Sequence, residues 1–251
     1  MKKYSENWAL TMSDKISVAM AAYNGSKYID QQIGSILSQL RQEDELIISY
    51  DESSDDTLNI IRTYERTDSR VKVFIDPGSG VTDNFNNAIS HCSGDYVFLS
   101  DQDDVWIDGK VERLLRCFRE YSPELIIHNG VNTDEKLEPI SAPFFEIYRI
   151  GNGKLKNIIR PRYSGCCMAF TRKMKDIILP MPEIRGYDQW IATVSEFLGN
   201  IEYVDDILLL HRLHEGNVTP VKSRPLPVII KMRIRLLWYL IYRIARERRK
   251  G

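Results

Sequence analysis

Residues 96–106 read YVFLSDQDDVW, and this stretch decides the fold. Tyr96, Val97, Phe98 and Leu99 form a short unbroken apolar run of strand formers, the pattern of a strand buried on both faces of a parallel sheet. Asp101, Asp103 and Asp104 follow where that strand leaves the sheet. In open α/β folds ligands bind at the carboxyl ends of the strands, so carboxylates there can hold a hard cation and, through it, a diphosphate. A helix cap needs one carboxylate; three together repel unless something positive lies among them.

Outward from this stretch the chain alternates short apolar runs with amphipathic segments. Residues 16–22 (ISVAMAA), 46–49, 71–75 and 125–128 read as further strands. Between them Ile29, Ile33, Ile36, Leu37 and Leu40 share one helical face, as do Phe85, Ala88, Ile89 and Cys92, and then Val111, Leu114, Leu115 and Phe118. The alternation predicts a doubly wound α/β sheet. Residues 129–163, rich in Pro, Gly and Asn, read mostly as loop. Beyond them the pattern predicts a strand at 166–171, a short helix at 172–179, a helix at 188–198 and two final strands at 201–204 and 207–210.

The 251 residues suffice for one large domain, and the net charge of −1 hides an asymmetry. Residues 222–250 carry ten Lys or Arg against Glu247 alone, which leaves 24 basic and 34 acidic residues, a balance of −10, in the remainder. An acidic body with a basic tail points to an anionic surface as the tail's partner, and no nucleic-acid partner is expected. Three segments follow: an N-terminal extension at 1–14, the α/β domain at 15–221 and a basic amphipathic helix at 222–251. On that helix Lys231, Arg235, Tyr239, Tyr242, Arg243 and Arg246 share one side, and Ile230, Ile234, Leu237, Trp238, Ile241 and Ile244 the other; Arg233 falls among the apolar residues. The pattern suits the interface of an anionic leaflet. Cys92, Cys117, Cys166 and Cys167 show no CxxC spacing, the N-terminus lacks the apolar core of a signal peptide, and no run of about 18 apolar residues could span a bilayer. A cytoplasmic, peripheral protein is expected.

The order and spacing of four motifs resemble the family 2 glycosyltransferases, in particular bacterial rhamnosyltransferase-like members that build surface polysaccharides. These are ISVAMAAYNGSKYIDQQIGSILSQ from Ile16, ELIISYDESSDDT from Glu45, GVTDNFNNAI from Gly80 and GDYVFLSDQDDVW from Gly94. The likeness covers about residues 15–220. It implies a GT-A fold with a Rossmann-like mixed sheet, a UDP- or dTDP-sugar donor, a glycan or lipid-linked glycan acceptor, a divalent metal (Mn2+ or Mg2+) and inversion at the anomeric carbon. Carried over by position, Ala22, Tyr23, Asn24, Asp51 and Ser53 border the nucleobase and ribose, and Asn84 lies near the nucleoside. Asp101 and Asp103 form the DxD pair, with Asp103 the direct metal ligand. Asp188 in GYDQW takes the place of the base, and His214 matches the His of the family's Tyr-Arg-x-His segment. Ala22 stands where Thr is common, and Tyr50-Asp51-Glu52-Ser53 where Asp-Asp-Gly-Ser is.

The residues themselves leave alternatives beside these roles. A carboxylate at position 188 could cap its helix instead of taking a proton. His214 could give a nitrogen to the metal or a hydrogen bond to the diphosphate, with Arg212 stabilising anionic oxygens, while His211 reads as a solvated loop residue. Trp106 and Trp190 could stack on a sugar or pack in the core. The adjacent Cys166 and Cys167 read as packing residues. The DxDxV run also opens haloacid-dehalogenase phosphatases, which place it on an early strand, and a non-catalytic glycan-binding protein could keep the same fold.

Overall fold

The computed structural model describes residues 14–214, apart from 79, 152, 160 and 185, and residues 225–250; of residues 155 and 156 it describes the backbone alone. The predicted extension at 1–14 therefore lies, but for Asp14, outside the described residues, as does the boundary expected at 221.

The first half runs β1 (Ile16–Ala22), α1 (Ile29–Leu37), β2 (Glu45–Tyr50), α2 (Thr57–Thr67), β3 (Val71–Ile75), α3 (Val81–His91) and β4 (Tyr96–Ser100). These four strands are parallel, in the order β3-β2-β1-β4. Helical crossovers cover both faces. Successive side chains of a strand point to opposite sides, so Val18 and Phe98 join one apolar layer while Ala19, Val97 and Leu99 join the other. That two-sided burial is why these strands read as continuous apolar runs.

The second half departs from the simple doubly wound pattern. It comprises β5 (Val105–Trp106), α4 (Lys110–Tyr121), β6 (Leu125–Thr133), β7 (Pro139–Pro143), α5 (Phe144–Tyr148), α6 (Lys154–Ile159), a 3₁₀ turn at Gly165–Cys167 and β8 (Met168–Thr171). α7 (Arg172–Ile178), α8 (Tyr187–Leu198), β9 (Ile201–Arg212) and α9 (Leu226–Arg248) complete it. β8 lies antiparallel between β4 and β6, so the sheet is mixed, and its order continues β4-β8-β6-β9-β5. The two final strands expected at 201–204 and 207–210 are one strand, β9, whose register against β6 shifts between His128 and Val131. Asp205 and Asp206, which mark a break in the sequence pattern, sit at that irregularity. The region expected to be loop holds the end of β6, β7, α5 and α6.

The predicted tail helix forms, but its faces divide otherwise than the wheel suggests. α9 docks through Leu236, Leu240 and Arg243, all buried. Arg243 donates to the carbonyls of Ile177, Leu179 and Pro180 at the end of α7 and lies over the Trp190 ring; burial draws its pKa down to about 10. Arg233, the residue that breaks the apolar stripe, bonds Gln189 Oε1 at 2.5 Å on α8. Ile230, Ile234, Leu237, Trp238 and Ile241 remain exposed.

Candidate active site

Parallel pairing brings three strand ends to one edge. β1 ends at Ala22 beside Tyr50, and Met20 pairs with Ser100, so Tyr23, Asp51 and Asp101 leave the sheet together. The strand order reverses at β1, with β2 on one side and β4 on the other, and a crevice opens at such a point.

Short-range bonds fix the β1 and β2 ends. The Gln102 amide pairs with the Tyr23 backbone in both directions: Tyr23 N donates to Oε1 at 2.7 Å, and Nε2 donates to Tyr23 O at 2.6 Å. A Cβ at position 25 would come within 2.2 Å of Gln102 Oε1, which is why Gly25 follows Asn24. Asn24, at φ 48°, donates from its backbone to Ser53 Oγ at 2.9 Å and accepts at Oδ1 from Ser54 N at 2.8 Å. Asp51 Oδ2 accepts from Gly80 N at 3.0 Å. The buried Asn84 donates to Ala22 O at 3.2 Å, and its Oδ1 has no partner among the described residues. Ala22 lends only its carbonyl, which also accepts from Asp51 N. The residues expected around a nucleoside are thus brought together.

The acidic loop is crowded. Burial, followed by the charges of Asp104 and Asp103, raises the Asp101 pKa to about 8. Asp103 is also raised, by burial and Asp104, against the pull of His214. Asp103 Oδ2 lies 2.9 Å from His214 Nε2. The two groups are hydrogen-bonded to each other, and a divalent cation taking the place of that proton would find a carboxylate oxygen and an imidazole nitrogen side by side. A cation would also relieve the repulsion among the carboxylates.

Asp188 sits in the first turn of α8, behind Gly186, which takes the N-cap position in the left-handed region at φ 93°. Its side chain accepts from Gln189 N at 2.8 Å. Burial raises its pKa to about 6, opposed by that N–H bond. A carboxylate near 6 is ionised at neutral pH yet basic enough to take a proton. Its charge acts on Asp101, and both carboxylates act on the buried hydroxyl of Tyr187, so the end of β4 and the start of α8 lie within electrostatic reach of each other.

Residues 17–178, well over half of the chain, match the family model described as Glycosyl transferase family 2. The chain belongs to this family. It is 35% identical over 219 residues to a putative teichuronic acid biosynthesis glycosyltransferase, TuaG, of Bacillus subtilis, covering 82% of each chain. Among solved structures it resembles S. aureus TarS 1–349 in complex with UDP-GlcNAc, with a TM-score of 0.70, 18% identity and coverage of 92% of this chain and 66% of that one. It also resembles a mannosyltransferase from Pyrobaculum calidifontis in complex with GDP-Man and Mn2+, with a TM-score of 0.61, 15% identity and coverage of 96% and 77%. These likenesses place the mixed sheet among GT-A folds. The chain spans two thirds or less of several other curated relatives.

In this family 2 chain several expected contacts are corrected. Arg212 is 3% exposed and is committed to the loop: Nε donates to Asp103 O at 3.0 Å, Nη2 to Gln31 Oε1 at 2.7 Å and Nη1 to Glu135 O. These bonds brace the segment bearing Asp103, a structural role that the sequence does not announce. Trp106 and Trp190 are 2% and 1% exposed, so both rings pack in the core and offer no face to a sugar. His211 is not a solvated loop residue; it lies on β9 with Nδ1 2.8 Å from Asp104 Oδ1. Burial opposes its charge, but Asp104 outweighs burial and raises its pKa to about 12. Lys110, 1% exposed over the Trp106 ring, is drawn down to about 8 by burial. At the head of an amphipathic helix it gives no sign of this in the sequence, and Gln102, between two aspartates, likewise gives no sign of its bonds to Tyr23.

Proposed function

We propose that the chain is a metal-dependent inverting glycosyltransferase. It moves a hexose or deoxyhexose from a UDP- or dTDP-sugar to a growing bacterial surface glycan of O-antigen, capsule or lipopolysaccharide type. The observation that carries this reading is the Asp101–Asp103 cluster after β4, within electrostatic reach of Asp188, a half-buried carboxylate in the first turn of α8 whose pKa is raised to about 6. The names of the relatives support it: one is assigned to teichuronic acid, and two structural neighbours hold nucleotide-sugars, one of them with Mn2+.

In this reading Tyr23, Asn24, Asp51, Ser53 and the Ala22 carbonyl seat the nucleoside, and Asn84 Oδ1 offers it an unfilled acceptor. Asp103 and His214 hold the cation, with Asp101 beside them. When bound, Mn2+ or Mg2+ offsets the negative charge that grows on the leaving diphosphate. Asp188 takes the proton from the acceptor hydroxyl while that oxygen attacks the anomeric carbon from the face opposite the diphosphate, and a single displacement of this kind inverts the centre. The test is a separation of binding from turnover. Asp103→Ala abolishes metal-dependent donor binding in a thermal-shift titration, since bound donor stabilises the fold by mass action. Asp188→Asn keeps the shift and loses transfer; near wild-type transfer by that variant would remove the base assignment.

We further propose that α9 holds the protein on the inner face of the cytoplasmic membrane. No described helix is long and apolar enough to cross a membrane. The exposed stripe of Ile230, Ile234, Leu237, Trp238 and Ile241 is bordered by Lys231 and Arg235, which suits a helix lying in an anionic interface, where each basic residue contributes about 1 kcal/mol. Substituting Ile234→Glu and Trp238→Glu together in the full chain removes flotation with anionic vesicles and leaves the thermal midpoint unchanged. Equal flotation of variant and wild type would end the membrane role.

A further inference from the structure

Three side chains from separate elements meet beside the acidic loop: Asp104 after β4, Cys166 in the 3₁₀ turn before β8, and His211 on β9. Each offers one ligand atom, and these atoms lie within 4.8 Å of one another. Asp104 and Cys166 are buried, while the His211 side chain retains 22% exposure and gives access from outside. The proposed transfer uses none of the three.

We propose that Asp104, Cys166 and His211 form a second metal site, separate from the hard-cation pair Asp103 and His214, and that it takes Zn2+ or a similarly thiophilic divalent ion. The donor set argues for this. A thiolate, an imidazole and a carboxylate together suit zinc, whereas Mg2+ and Mn2+ favour oxygen. Spacing agrees: a tetrahedral zinc with bonds of about 2.0–2.3 Å holds its ligand atoms about 3.3–3.6 Å apart, and small side-chain rotations close the present distances to that. Asp104 adds an independent sign. It is 0% exposed and its Oδ2 has no hydrogen-bond partner among the described residues, a costly state for a buried carboxylate oxygen unless a donor or cation meets it.

Charge balance favours the exchange as well. Carboxylate, imidazolium and thiol sum to zero, and so do carboxylate, neutral imidazole, thiolate and Zn2+. The ion enters by displacing two protons, one from His211 Nδ1 and one from the Cys166 thiol, and the pocket buries no new net charge. Lys110, with Nζ 3.4 Å from Cys166 O, is a cation on the same side and the main opposing charge. An occupied site ties β9, the 3₁₀ turn and the residue next to Asp103 to one atom, which stiffens the loop that carries Asp103.

Without metal the same three groups form a hydrogen-bonded cluster, and Co2+ distinguishes the two states. Added to the full, metal-stripped chain, one equivalent of Co2+ gives a thiolate-to-cobalt charge-transfer band that Zn2+ abolishes by displacement, and Zn2+ raises the thermal midpoint. Cys166→Ser removes the band, Cys167→Ser and Asp103→Ala keep it, and His211→Gln weakens Zn2+ binding by more than about tenfold. If Cys166→Ser fails to fold, His211→Gln and the wild-type spectrum carry the test. No band in the wild type, or a band that survives Cys166→Ser, overturns the proposal. The readout needs neither donor nor acceptor, so its result stands apart from the glycosyltransferase reading.

Discussion

Two carboxylates at opposite edges of the parallel sheet, one buried and one half-buried, are driven in opposite directions. Glu45 opens β2 at the edge where the strands begin; Asp101 follows β4 at the edge where they end. Burial alone would raise Glu45, but Lys72 Nζ at 2.7 Å, Ser17 Oγ at 2.7 Å, both the backbone N and Oγ of Ser93 at 2.7 Å and Lys15 Nζ at 3.1 Å donate to it and hold its pKa well below the usual range. At Asp101 burial is joined by Asp104, Asp103 and Asp188, and the pKa climbs to about 8. One edge supplies donors to a charge whose task is to hold strands together. The other gathers like charges and leaves the balance to something that binds.

The largest effects expected from breaking this contrast lie at the crowded edge. Loss of a positioned base typically costs 10²–10⁴ in rate, so Asp188→Asn lowers kcat by about that factor while the donor Kd stays near wild type. The opposite edge answers in stability. Glu45→Gln removes the charge that pairs Lys15 and Lys72 but keeps acceptors for Ser17 and Ser93, and both lysines can return to water. The expected loss is about 2 kcal/mol in urea unfolding, with unchanged kcat per folded molecule. A fall in kcat for folded Glu45→Gln would show that the two edges are not separate in function.

How legible each edge was depends on how far apart in the chain its partners lie. β1 to β4 could be read directly, because burial on both faces writes each strand as an apolar run and each helix as one apolar face. Asp101 and Asp103 were visible because crowding occurs within the sequence itself. The partners of that loop were not: His211 reaches Asp104 from 107 positions away, and its neighbours in sequence look like the start of a loop. A cation near an expected diphosphate invites the role of phosphate ligand for Arg212, and nothing in its sequence surroundings announces the three carbonyl and amide oxygens that hold its guanidinium to the loop. Arg233 and Arg243 show the same gap on α9. A helical wheel sorts residues by polarity, and it cannot see that α7 presents unpaired terminal carbonyls for a buried arginine to satisfy.

The smallest effect divides the two carboxylate environments most sharply, and it also separates a base from a helix cap at position 188. The Asp188 pKa is raised from 3.8 to about 6, so the folded chain holds that proton more tightly than the unfolded one. Its contribution to stability is full below the unfolded value and is lost as pH rises through 6. At pH 8 the wild type therefore carries a buried charge that Asp188→Asn lacks, and the variant unfolds a few degrees higher; the gain shrinks toward pH 5. Glu45 has the opposite sign. Its folded pKa lies below the ordinary 4.5, its stabilisation is present above that value, and it is lost as pH falls, so the Glu45→Gln deficit is full at pH 8 and narrows in acid. Thermal midpoints between pH 5 and 8 give the Asp188 curve, and midpoints below pH 4.5 give the Glu45 curve. A carboxylate that served mainly to cap α8 would be stabilising when charged, and Asp188→Asn would then unfold below the wild type at pH 8. That result would return Asp188 to a structural role and leave the pocket without its base.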